Sequence, residues 1–347
     1  MKKYFFMAIA VLASLTACQP EPEQVLVNDG TIKFMSVETR ATDETPVVDM
    51  STFKSNDNGG KSFTVYGFIN GAEAGTLWET GVQPVYGQSA QNVDQWTVSP
   101  EKYWADAKYY NFYAFYNQGA DVKASYANAV VKFDGGTEAK TDFVAASKCE
   151  IRGNVFNAPV DLKFYHQLSR VAIKFVNKFN DTNNKIIVSN IKVKSVATGA
   201  TFTYTAPTTK GANASATVAI SDLKKTDVAF DFLNDDAIQG VADGAEYNSK
   251  TTVYKYFVPA KEAYLMDCTV EFVTLVNDTE VKQSKNYKDL KLQMTDALSA
   301  NGYVAGQSYV FTANVYDAIS PIIFSVNVEP WGADTAAGDI TIGQEKK

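Results

Sequence analysis

The sequence predicts an all-β protein built as two tandem antiparallel sandwiches. Apolar and polar residues alternate in runs of roughly five to nine, each closed by Gly, Asn, Asp or Pro, and no long helical stripe competes with them. Composition points the same way: 19 Tyr and 21 Phe, with abundant Val and Thr, favour strands. Removing residues 1–17 as a signal leaves 330 of 347, more than one compact core usually carries, which gives two domains.

The chain opens on Lys2 and Lys3, followed by an apolar run from Tyr4 to Leu15 that is too short to span a bilayer. Leu15-Thr16-Ala17-Cys18 then turns a secretory signal into a lipoprotein signal. Cleavage before Cys18 leaves its thiol to carry a diacylglycerol and its new amino group a third acyl chain, and several chains anchor firmly where one does not. The alternative is a plain signal peptide with a chance cysteine. Gln19-Pro20-Glu21-Pro22-Glu23-Gln24 is an acidic, proline-rich tether that cannot fold. It resembles the tags that route bacterial lipoproteins to the outer face of the outer membrane.

Residues 31–37 form a short strand-like run. Residues 109–116 are nearly all aromatic and read as a central strand covered on both faces. Val171, Ile173 and Phe175 alternate with Arg170, Ala172 and Lys174; Ile187, Ile191 and Val193 line one face while Lys192 and Lys194 point away. The same period recurs at Val253 and Phe257, Val270 and Phe272, Phe311 and Val315, and Phe324, Val326 and Val328. The 291–298 segment looks weakly helical. Residues 206–215 are small and polar, as in a domain junction or a long hairpin loop. Placing the junction there gives a signal peptide (1–17), a lipidated tether with a removable first strand (18–40), a first sandwich (41–206) and a second (207–347). The 231–246 segment holds five carboxylates without an EF-hand spacing, as a solvated loop does better than a calcium site.

A net charge of −7 with no basic stripe argues against nucleic acid. After the signal no apolar run reaches the roughly 18 residues of a transmembrane helix. Cys149 and Cys268 fall in different predicted domains and read as buried free thiols. The single histidine, His166, removes most metal-hydrolase and Ser-His or Cys-His schemes; placed at a strand bend, its ring can hold two hydrogen bonds. Paired carboxylates for glycoside hydrolysis find no support, since the acidic residues sit mostly in polar loops. No catalysis, metal or cofactor is expected.

Several segments in order resemble the fimbrillin (Mfa-like, type V pilin) lipoproteins. They are Tyr103-Trp104 with Tyr110-Asn111-Phe112-Tyr113-Ala114-Phe115-Tyr116, Phe164-Tyr165-His166-Gln167-Leu168-Ser169, Phe257-Val258-Pro259, Ala305-Gly306-Gln307-Ser308-Tyr309 and Val328-Glu329-Pro330-Trp331-Gly332. The resemblance implies transthyretin-like sandwiches that assemble into surface fimbriae. It also implies cutting by an Arg-specific protease between Arg40 and Ala41, which removes the first strand and opens a groove. A neighbour's terminal strand then fills that groove by β-augmentation. Donor residues are Phe324, Val326 and Val328, with Ile340 and Ile342 beyond a flexible Gly332 to Gly338 connector. Asp334-Thr335-Ala336 resembles an O-glycosylation site at Thr335. The implied partners are other fimbrial subunits, the outer membrane through the Cys18 lipid, and a host or bacterial receptor. The competing function is a monomeric surface lipoprotein that binds carbohydrate or a host ligand and keeps its first strand.

Overall fold

The computed structural model describes residues 30–35, 47–48, 63–70, 75–88, 94–117, 119, 121–154, 158–234, 237–292 and 302–330. Among them every helix or strand is a strand. The chain begins with β1 (Phe34–Met35), β2 (Val47–Val48), β3 (Thr64–Asn70), β4 (Gly75–Val82), β5 (Val85–Gln88) and β6 (Asp94–Thr97). Next come β7 (Tyr109–Tyr116), β8 (Val122–Ala124), β9 (Asn128–Asp134), β10 (Val144–Arg152), β11 (Val160–Asp161) and β12 (Phe164–His166). The second part holds β13 (Ser169–Asn177), β14 (Asn184–Thr205), β15 (Thr217–Phe230), β16 (Ile238–Gln239), β17 (Ser249–Thr251) and β18 (Lys255–Phe257). It ends with β19 (Tyr264–Val276), β20 (Thr279–Leu292), β21 (Gln307–Val315) and β22 (Ile323–Pro330).

These strands form four sheets. An outer sheet runs β11-β1-β6-β5 and a central sheet β2-β12-β10-β7-β3-β4. A long sheet runs β20-β19-β14-β9-β8, with β15 and β16 also on β14, and a closing sheet runs β17-β13-β21-β22, with β18 on β13. Pairing is antiparallel except at β1 with β11 and β13 with β21, where the strands run parallel. The alternation predicted strands but carried no information on those two pairings, which join segments far apart in sequence.

Three cores lie between the sheets. Tyr110, Phe112 and Ala114 of β7 face the outer sheet, while Tyr113 and Phe115 face the long sheet. The aromatic strand is thus covered on both faces, as its composition requires. The third core packs Val171, Ile173 and Phe175, all fully buried, against β14, β15, β19 and β20.

The structure corrects five expectations. Residues 206–215 are not a junction: β14 and β15 on either side are two arms of one hairpin, paired from Ile191↔Phe230 to Thr205↔Thr217. Strands β13 and β14 bond to strands that follow this loop, and β14 bonds also to β9 well before it, so strand pairing runs across 206/207. Ile186, not Ile187, joins Ile191 and Val193 in the core. The register shifts between Ser189 and Lys192, and Asn190 has φ 52°, so a β-bulge reverses which residues face inward. Lys192 is exposed, but Lys194 is half-buried between Asp267 (2.8 Å) and Asp289 (2.9 Å). Lys291 and Leu292 close β20, while 293–298 lies outside the described residues.

Candidate functional site

The sheet position filled by the first strand is the most distinctive site in the fold. Ile32 and Phe34 alternate with Lys33, which puts both apolar side chains on the inner face. They are 2% and 0% exposed. The backbone is bonded along both sides. On one side Ile32 N–H donates to Lys102 O (2.8 Å), Trp104 N–H donates to Gly30 O (2.9 Å), and Phe34 lies opposite Trp96. On the other, Val160 N–H donates to Lys33 O (2.7 Å) and Leu162 N–H to Met35 O (3.3 Å). A segment of a few residues therefore occupies an interior place of the outer sheet, between β11 and β6.

Aromatic rings line the slot beneath it. Phe34 meets Phe112 edge-on at 5.4 Å and Phe63 at 6.4 Å, and Trp78 lies 6.1 Å away. Trp104 packs edge-on against Tyr110 at 4.7 Å. Gly67 makes room for Trp78: a Cβ at that position would stand 2.7 Å from the indole Cε3. Sequence reasoning passed over Gly67, whose role appears only once β3 and β4 are paired. Beside β11 a groove of about 600 Å³ is bordered by Trp104, Lys148, Arg152, Pro159, Asp161 and Asn213. The Trp104 indole N–H has no acceptor among the described residues.

The proposed donor residues Phe324, Val326 and Val328 sit on β22, half-buried against the third core. Among the described residues β22 pairs with β21 alone, at the edge of the closing sheet. Cys18, Arg40, Ala41, Trp331, Thr335, Ile340 and Ile342 lie outside the described residues. His166 sits on β12 with Nδ1 2.8 Å from Asp142 Oδ2, both side chains almost fully buried. Among the described residues no group of three His, Cys, Asp or Glu could hold a metal ion. Asp231, Asp243 and Glu246 are each exposed, and Asp235 and Asp236 lie outside the described residues.

Sequence reasoning also missed a polar network within the aromatic sheet. Asn111 Nδ2 donates to Tyr126 O (2.7 Å), Tyr126 OH to Glu150 Oε1 (2.7 Å), and Glu150 N–H to Asn111 Oδ1 (2.6 Å). Burial, reinforced by the Glu150 carboxylate, pushes the Tyr126 phenol above its ordinary value. The lone Asn inside an aromatic strand was the available signal. Cys149 and Cys268 are free and buried, as expected, and burial pushes each thiol up to about 12.

Four stacked sheets of mostly antiparallel strands define a multilayer all-β sandwich protein. The fimbrillin-like family model matches residues 39–331, and the chain belongs to that family. The family's role is fimbrial or adhesive, at the cell surface. Among solved structures, a fimbrial protein from Bacteroides vulgatus is 15% identical over 87% of this chain and 99% of its own, with a TM-score of 0.58. The tip fimbrial protein Mfa3 from Porphyromonas gingivalis is 7% identical over 87% of this chain and 98% of its own, with a TM-score of 0.36. No curated relative matches the sequence.

Proposed function

We propose that this protein is a fimbrial subunit exported as a lipoprotein on Cys18 and assembled by proteolysis-triggered strand exchange. The observation that carries this reading is the first strand itself. It fills an interior sheet position, and it ends a few residues before Thr39-Arg40-Ala41. Cutting after Arg40 separates it from the rest of the fold without breaking a hairpin. Its loss uncovers the backbone groups of β11 and β6 together with the aromatic floor. A strand offering two apolar side chains at the Ile32 and Phe34 spacing recovers about 3–6 kcal/mol of burial before ordering costs. Ile340 and Ile342 have that spacing, and the alternating 322–328 segment supplies a second donor. The contact is heterologous, so repeated exchange gives an open filament.

The test uses unlipidated protein treated with an Arg-specific protease, beside Arg40→Ala and a truncation before Asp339. SDS-resistant, heat-labile ladders should form only from the cut, full-length protein, because leaving the slot means exposing a whole strand. Equal polymerisation by Arg40→Ala removes the cleavage step. The groove beside β11 favours a second reading, a monomeric surface lipoprotein that binds carbohydrate through Trp104, Lys148 and Asn213. Under that reading the uncut protein binds glycans and no ladder appears.

A further inference from the structure

One face of β10 changes character partway along the strand. Val144 and Ala146 point into the core between the central and outer sheets, and Lys148 is next on that face. A β-bulge follows: the register shifts between Lys148 and Ile151, and Glu150 has φ 57°. Lys148 therefore lies opposite Phe112 and Ile151 opposite Tyr110, two rings of the same core, so both side chains share the inner face. The outer sheet that covers this face ends at β11, and the groove of about 600 Å³ opens beside it. Lys148 is half-buried in the groove wall and makes no ion pair among the described residues. A lysine in a row that is otherwise core breaks the pattern of its strand, which points to function.

The other walls are held in place by the fold. Gly211 and Asn213 come from the loop between β14 and β15, and that loop is tied to β10. Cys149 N–H donates to Ala214 O (2.8 Å), Ala214 N–H to Cys149 O (3.2 Å), and Ala216 N–H to Ser147 Oγ (2.8 Å). Among the lining residues Lys148 and Arg152 stand against one carboxylate, Asp161, so the groove is positive in a chain of net charge −7. Ile151 and Pro159 add an apolar surface between the charges.

We propose that this groove binds an acidic saccharide, a sugar that carries a carboxylate beside its hydroxyls. Lys148 takes the carboxylate, Asp161 and Asn213 take hydroxyls, and Ile151 and Pro159 meet the apolar face of the ring. Three simpler occupants fit less well. A small inorganic anion gains from Lys148 but meets the Asp161 carboxylate, which needs a donor. A neutral sugar leaves the Lys148 charge unused. An added peptide strand finds Pro159 on the β11 edge, where no N–H is available to pair. The volume lies in the range of small-ligand sites. The proposal rests on the carbohydrate reading of this groove and narrows it to acidic sugars; it holds whether or not the protein polymerises.

The experiment uses the uncut mature chain carrying Cys18→Ser and Arg40→Ala, so neither lipid nor strand exchange contributes. Calorimetric titration compares a glucuronate-containing disaccharide and sialyllactose with their neutral counterparts, the glucose-containing disaccharide and lactose, and with sodium acetate. At least one acidic probe should bind roughly tenfold more tightly than its neutral counterpart, the worth of one charge-assisted hydrogen bond. That preference should shrink as salt rises. Lys148→Gln should bring the acidic probe down to the neutral level, Lys148→Arg should keep the preference, and Lys291→Gln should change nothing. Asn213→Ala, in an exposed loop, should weaken acidic and neutral probes alike, with near-ultraviolet circular dichroism unchanged. Equal affinity for acidic and neutral probes would overturn the proposal and leave the carbohydrate reading standing. Binding of no saccharide would overturn both, and acetate binding as tightly as the acidic probes would reduce the groove to a simple anion site.

Discussion

The first and second halves of this molecule are closed in different ways. In the first, an interior place of the outer sheet is held by the first described segment, whose regular part is two residues long. In the second, β19 and β20 are joined by a tight hairpin, and β14 runs for 22 residues. The first half thus closes on a two-residue strand bonded on both sides to segments far from it in sequence, and the second on long strands paired with their neighbours in the chain.

The sharpest way to break that contrast is to empty the core beneath each half. Phe34→Ala should cost about 3–5 kcal/mol, as other Phe truncations in packed cores do, and Phe311→Ala should cost a similar amount in the second half. The readout is built in, because Cys149 lies in a core of the central sheet and Cys268 in the core of the closing sheet. Burial pushes both thiols up to about 12, so each reacts when its surroundings open. Phe34→Ala should expose Cys149 at lower urea than Cys268, and Phe311→Ala should reverse the order, as mass spectrometry of labelled peptides will show. Simultaneous labelling in both variants would mean that the halves unfold as one unit.

A smaller effect is expected at the Asp142–His166 pair, whose histidine sits on β12 of the central sheet. His166→Ala takes away the 2.8 Å contact and leaves the Asp142 carboxyl group buried without it. The expected loss is about 1.5–3 kcal/mol, measured by urea unfolding. Cys149 should again become reactive before Cys268. If Cys268 leads, the pair serves the second half and its assignment to the first is wrong.

Much of this organisation was legible in the sequence, and the parts that were not share a cause. Period-two alternation located Val171, Ile173 and Phe175 in a core, and the aromatic 109–116 run announced a strand covered on both faces. Alternation cannot reveal an extra residue inside a strand. The bulge at Asn190 therefore put Ile187 where Ile186 belongs. Nor can composition separate a junction from a hairpin loop, since both are small and polar; only the pairing of β14 with β15 decides for 206–215. The first-strand slot was visible as a short apolar run ahead of Arg40. Its aromatic floor was not, because Phe63, Trp78, Trp96 and Phe112 come together only through sheet pairing.

The bulge offers a test confined to the second half. Asn190 sits at φ 52°, a conformation that Asn adopts at lower cost than Ala. Asn190→Ala should cost about 1–2 kcal/mol, and Asn190→Gly should be close to neutral. Hydrogen exchange should report the loss around Ile186 and Ile191, with the Val160 and Leu162 amides of the slot unaffected. Deprotection of those slot amides would show that strain in β14 reaches the first half.

The smallest expected effect concerns a surface pair that links β9 to β15 across β14. Asp134 Oδ2 lies 2.6 Å from Lys224 Nζ, and Asp134 Oδ1 accepts the Gly136 N–H at 2.9 Å. The lysine first and that backbone bond second hold the Asp134 carboxyl below its usual range. A carboxyl depressed in the folded state contributes stability above its unfolded pKa of about 3.9 and loses it as the pH falls through the folded value. Both side chains are more than half exposed, so solvent and salt screen the pair and its worth is about 0.2–1 kcal/mol. Asp134→Asn should therefore be slightly less stable than the parent at pH 7, and the gap should close below pH ~3 and shrink in about 1 M salt. Urea midpoints at two pH values and two salt concentrations measure this. The order in which Cys149 and Cys268 become reactive should not change. If it does, the surface pair, and not the continuous backbone of β14, couples the two halves.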